Sequence, residues 1–136
     1  MFITRKAEFS ASHVCRNPEW SDAENEAVYG PAANRHGHGH NYVVEVTVEG
    51  EPDAATGMVR DLKEIKDVLS SEIIEPFDHR FLNREVPPFD KTIPTAENIA
   101  VEIWKRLDSR LTRGSSRLHA VRLHETSDFS VEVRRC

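Results

Sequence analysis

The order in which the hydrophobic period changes along this chain restricts its fold more than any single residue does. Ile3, Ala7, Phe9, Ala11 and His13 share one side of an alternating stretch. Tyr42, Val44, Val46 and Val48 repeat the two-residue period in a second strand, from about Asn41 to Glu49. Leu62, Ile65, Leu69 and Ile73 then recur at helical spacing behind Asp61, an N-cap with Glu64 three residues on, and Pro76 is expected to stop the run. Thr95 caps a second helix whose apolar stripe is Ile99, Ile103 and Leu107. Val121 and Leu123, then Phe129, Val131 and Val133, return to alternation around a Ser127-Asp128 turn and predict a hairpin. This order predicts an α+β fold, an antiparallel four-stranded sheet (ββααββ) with two helices on one face. The other face stays bare or packs against further copies, and the open edges favour oligomers.

The 136 residues contain no repeat, low-complexity tract or linker, so one domain spans 1–136. The polar stretch from Cys15 to Asn34 reads as a long loop with room for a short helix, and loops of that length in compact domains are usually functional. No apolar run approaches the roughly 20 residues that span a bilayer. The first residues lack the apolar core of a signal peptide, so the expected location is the cytoplasm, with no membrane partner. A net charge of -5 speaks against a nucleic-acid partner. Arg106, Arg110, Arg113, Arg117 and Arg122 read mostly as a solvated face, with a minority free to meet an anionic small molecule. Cys15 and Cys136 are too few for a disulfide framework, and Cys136 is expected to be inert.

Seven histidines are the unusual count, and three of them alternate in His36-Gly37-His38-Gly39-His40. Alternate residues of an extended chain point the same way, and the glycines let the backbone pass close to an ion. With His13 from the first strand end, His38 and His40 make a candidate zinc site. Three imidazoles leave a fourth position open, as catalytic zinc sites do. The other reading is a histidine-rich surface loop without metal. His36 is a ligand, an acid/base group or neither. Asp78-His79 is either a surface pair or a carboxylate orienting an imidazole for proton transfer, and the second option needs an irregular backbone. Glu125, in phase with Val121 and Leu123, lies at the wet end of the sheet or binds a paired N–H edge such as an aminopyrimidinone. Cys15 is a base, a fourth ligand or a small buried residue.

Several motifs in order make the chain resemble the 6-pyruvoyltetrahydropterin synthase family, which includes the 6-carboxytetrahydropterin synthases. They are Phe9-Ser10-Ala11-Ser12-His13, Gly37-His38-Gly39-His40-Asn41-Tyr42, Thr56-Gly57-Met58-Val59 with Asp61-Leu62-Lys63, Asp78-His79, Thr95-Ala96-Glu97-Asn98 and His124-Glu125-Thr126. The resemblance implies the tunnelling fold, in which trimers close an oligomeric barrel and two trimers stack into a homohexamer. It implies zinc on His13, His38 and His40, with His36 outside the set. It further implies Glu125 as the anchor of a pterin substrate with Thr95 and Glu97 nearby, and Asp78 and His79 as an acid/base pair reaching a neighbouring subunit's site. The implied substrate is 7,8-dihydroneopterin triphosphate, which loses triphosphate.

One departure stands out. The family's catalytic cysteine falls on Ala32, or on Asn34 in the 6-carboxy type, and relatives that cleave the side chain carry a glutamate where Arg35-His36 stands. The expectation is therefore a zinc-dependent lyase in which Cys15 or His36 replaces the missing thiol. The alternatives are aldolase-like side-chain cleavage and a non-catalytic pterin-binding homologue.

Overall fold

Alternation becomes register in the first two strands. In the computed structural model, which describes residues 1–136, β1 (Phe2–His13) runs antiparallel to β2 (His38–Gly50), from Phe2 opposite Glu49 to His13 opposite His38. Tyr42, Val44, Val46 and Val48 are fully buried on one face. β2 starts earlier than the valine pattern alone suggests, so His38 and His40 are strand residues in phase with Tyr42.

The first helix, α1 (Asp22–Tyr29), lies inside the long β1–β2 connection behind a Ser21/Glu24 capping box. Buried Asn25 fastens that connection, its amide donating to the carbonyls of Asn17, Trp20 and Ser21. α2 (Leu62–Leu69) continues through a wide turn, Ser70–Ile74, into α3 (Glu75–Phe77). Pro76 does not stop this run. It sits at the start of α3, directly after the wide turn, where the Glu75 N–H reaches back to the Ser70 carbonyl and the widened backbone accommodates the proline.

After α3 come β3 (Arg80–Phe81), α4 (Leu82–Glu85), α5 (Ala96–Leu111) and the hairpin of β4 (Ser116–Thr126) and β5 (Phe129–Arg134). The sheet has five strands in the order β3-β1-β2-β4-β5 and is mixed, because β3 pairs parallel to β1 through Ala11–Arg80 and Ser12–Phe81. The four-stranded antiparallel sheet with two helices expected from the pattern is thus corrected. β1, β2, β4 and β5 pair antiparallel, but β3 makes the sheet five-stranded and mixed, and the short helices α1, α3 and α4 join α2 and α5. Two residues carry no period, so pattern reading passes over β3.

Ile65, Leu69 and Ile73, together with Ile99, Ile103 and Leu107, close over Val44, Val46, Val121 and Leu123 as one core. The opposite sheet face carries polar contacts such as the Glu45–His124 hydrogen bond (2.6 Å) and the Glu49–Arg117 ion pair (2.8 Å). No helix is long and apolar enough to cross a membrane.

Candidate metal centre

Opposed residues of an antiparallel pair project to the same face. His13 and His38, the last pair of the β1–β2 ladder, therefore turn together toward the helices, and His40 joins them two residues later. Ring centroids are 4.6 Å apart for His13–His38, 5.2 Å for His13–His40 and 4.8 Å for His38–His40. The two Nε2 atoms of His13 and His38 are 3.0 Å apart, and the three available nitrogens lie within 4.8 Å of one another. Tetrahedral zinc holds its nitrogen ligands about 3.4 Å apart, so this group is nearly closed on an ion. Gly39 permits the approach of the strands, since a Cβ there would stand 3.2 Å from the Ala11 carbonyl oxygen.

The protonation pattern also fits a cation. His13, 1% exposed, donates Nδ1–H to the Pro94 carbonyl at 2.7 Å, which fixes its tautomer and leaves the Nε2 lone pair facing the group. The Nε2 of His40 is buried without a hydrogen-bond partner, with Glu125 Oε1 3.7 Å away. A buried unpartnered nitrogen is costly, and a metal ion removes that cost. Burial pushes His13 down to about 4 and also lowers His40, so both are neutral, as ligands must be, at pH 7.

This has a consequence for the metal-free chain. Unfolded His13 takes up a proton near 6.5 while folded His13 does so only near 4, so the unfolded state binds more protons between those values. The contribution is intact above pH 6.5 and is lost as pH falls toward 4, by about 3 kcal/mol. Urea unfolding of the metal-free protein at pH 7 and pH 4.5 should show the drop, and a His13→Gln chain should show less of it. Equal pH dependence in both chains would contradict this assignment.

Glu125 sits at an irregularity of β4, skipped between the pairs His124–Ser130 and Thr126–Phe129. Such bulges re-aim a side chain, and this one brings the carboxylate to the imidazoles. Thr95 is the N-cap of α5, its hydroxyl accepting the Asn98 N–H at 3.3 Å, and Glu97 stands exposed in the first turn. Pro94, directly before them, ties that helix end to His13.

Cys15 lies beneath the group, its Sγ 3.8 Å from both His13 Nδ1 and the Pro94 oxygen. Burial, then the charges of Glu125 and Glu97, push its thiol up to about 11. Its N–H donates to the Ala32 carbonyl at 2.9 Å, so Cys15 stands directly across from Ala32. His36 is exposed, its N–H bonded to Asn34 Oδ1 at 3.0 Å, and it does not join the other histidines.

Asp78 and His79 do meet. Asp78 Oδ2 is 2.9 Å from His79 Nδ1, and its Oδ1 accepts the Ser10 N–H at 2.8 Å. Adjacent side chains converge because His79 has φ 59°, an unusual conformation for a non-glycine residue. The Ser10 N–H, followed by His79 itself, holds the Asp78 carboxyl below the usual range. The His79 side chain is 82% exposed. It lines a cavity of about 510 Å³ with Ser10, Ser12, Gly39, His40 and Asn41.

Three contributors escaped sequence reading. The Pro94 carbonyl acts through the backbone. Asn83 clamps the end of β1, accepting the Val14 N–H and donating to the Val14 carbonyl. The hydroxyl of fully buried Tyr42, next to His40, has no partner. Only Tyr42 had a signal, its place in phase with the strand.

A helix-backed mixed sheet ending in three convergent imidazoles defines an α+β domain with a group able to hold a metal ion. Residues 2–136 match the family model for 6-pyruvoyl tetrahydropterin synthase, and the chain belongs to that family. It is 44% identical over 133 residues to the 6-pyruvoyl tetrahydrobiopterin synthase of Drosophila melanogaster, covering 98% of this chain and 79% of that one. Identity to the Homo sapiens protein of the same name is 43% over 126 residues, covering 93% and 86%. The solved structure of Caenorhabditis elegans 6-pyruvoyl tetrahydropterin synthase superposes with a TM-score of 0.93 at 35% identity, covering 100% of this chain and 96% of that one.

Proposed function

We propose that the chain is a zinc-dependent carbon–oxygen lyase of the 6-pyruvoyl or 6-carboxytetrahydropterin synthase type, acting on 7,8-dihydroneopterin triphosphate. The observation that carries this reading is the three-imidazole group, with a buried, unpartnered His40 Nε2 and the Glu125 carboxylate beside it. In this reading the protein is cytoplasmic, binds neither nucleic acid nor membrane, and works as a homohexamer of two barrel-forming trimers, the tunnelling fold.

Zinc on His13, His38 and His40 would supply Lewis acidity to the substrate's side-chain oxygens, which acidifies the neighbouring C–H bonds. Glu125 accepts the paired N–H groups of the pterin ring, a two-bond match that fixes orientation. Thr95 and Glu97 border that ring at the start of α5. Ionised Asp78 holds the proton of His79 on Nδ1 and leaves Nε2 free to receive one. The exposure of His79 supports action on a neighbouring copy's substrate.

Neither Ala32 nor Asn34 carries an acid/base group. In the metal-free chain burial pushes the Cys15 thiol up to about 11, which disfavours the thiolate that proton abstraction needs. His36 stays outside the site. His79 is thus the base this chain offers. The test is product analysis with phosphorylated dihydroneopterin before and after chelation. Triphosphate release that chelation stops and zinc restores supports the lyase, while a hydroxymethyl product would mark aldolase-like cleavage and binding alone a non-catalytic homologue.

A further inference from the structure

The connection between β1 and β2 gathers two arginines onto one carboxylate, and nothing above gives them a role. Arg16 follows His13 by three residues and Arg35 precedes His38 by three, while β1 and β2 end together on the His13–His38 pair. Three residues span at most about 11 Å, so both arginine backbones stay within that reach of a metal-ligating histidine.

The Arg16 side chain is only 17% exposed and donates to the Ala33 carbonyl at 2.8 Å. Arg16 and Arg35 both donate to a single oxygen, Asp22 Oδ1, Arg35 at 2.6 Å. Asp22 opens α1, whose first turn adds the positive end of the helix dipole. The three side chains line a cavity of about 540 Å³, with Glu26 on its wall.

We propose that Arg16 and Arg35 form a subsite for the phosphate tail of the substrate, with the Asp22 carboxylate holding the two guanidiniums together until phosphate displaces it. This rests on the reading of the neighbouring site as one for a phosphorylated pterin. The Asp22 side chain, 74% exposed, can turn into water and free both guanidiniums. A polyphosphate brings more charge and more oxygens, and engages both planar forks at once. Glu26 also lines the cavity and pairs with neither arginine, so Glu26→Gln should tighten triphosphate binding as Asp22→Asn does. The arginines of the later helix and strands are already matched: Arg106 with Glu102, Arg110 with Glu72, Arg113 with Glu64, Arg117 with Glu49 and Arg122 with Glu132.

The test is a calorimetric titration of the zinc-loaded full chain with inorganic triphosphate, repeated on the metal-free chain, where chelation plays no part. Arg35→Gln, a surface change, should weaken binding about 10- to 100-fold, the range of a charge-assisted hydrogen bond. Asp22→Asn should tighten it, because the competing carboxylate is gone. Arg16→Lys, which keeps the charge but loses the fork, should weaken it less than Arg35→Gln. Unphosphorylated dihydroneopterin should bind every variant alike. Unchanged triphosphate affinity in both Arg35→Gln and Asp22→Asn overturns the subsite, even with pterin still bound. The expected order of triphosphate affinities without binding of any pterin upholds the subsite and overturns the pterin reading instead.

Discussion

A His38→Ala chain is expected to lose its metal and, with it, turnover. His38 presents Nε2 3.0 Å from that of His13, and its removal leaves two imidazoles where the group needs three. Replacing a residue that merely orients a ligand costs about 10- to 100-fold in metal affinity, and removing a ligand should cost more. His38 is only partly buried, so the core is not emptied by the change. Zinc content after dialysis is the direct readout, with unfolding midpoints as a check on folding. Retention of one zinc per chain would show that His38 is not a ligand.

His79→Ala is the second large effect. Loss of a general base costs about 10²–10⁴ in rate, and Cys15→Ala should fall short of that range. The substitution touches an exposed side chain, so zinc content and stability should hold. Mixing provides a sharper readout. His79→Ala chains keep the imidazole group and lack the base, while His38→Ala chains keep the base and lack the metal. The proposed placement of base and metal on different copies predicts that, co-assembled, they recover activity that neither shows alone. No recovery in demonstrably mixed oligomers would place both on one chain, and a Cys15→Ala loss exceeding that of His79→Ala would move the base to the thiol.

Much of the site follows from period and parity. Once the valines of β2 set the phase, His38 and His40 had to face the same side as Tyr42, and His13 met them because the first two strands pair end to end. The caps at Asp61 and Thr95 were equally plain, since each side chain accepts a backbone N–H where its helix begins. What escaped depends on contacts that leave no period. β3 is two residues long and exists through its pairing with Ala11 and Ser12. The convergence of Asp78 and His79 turns on one positive φ. Pro76 looked like a stop because its tolerated place at a helix start depends on the wide turn before it. Arg16 and Arg35 looked unrelated in sequence, and only the folded connection brings both to Asp22.

The proposed role of the three imidazoles is elimination of triphosphate from a reduced pterin. Its most direct test is to incubate the zinc-loaded protein with 7,8-dihydroneopterin triphosphate, identify the pterin product by mass spectrometry and measure free triphosphate. Triphosphate is expected to be released together with a 6-pyruvoyl or 6-carboxy product, abolished by chelation and restored by zinc. Bound pterin returned unchanged, or a hydroxymethyl product with the phosphates still on the cleaved fragment, would contradict it.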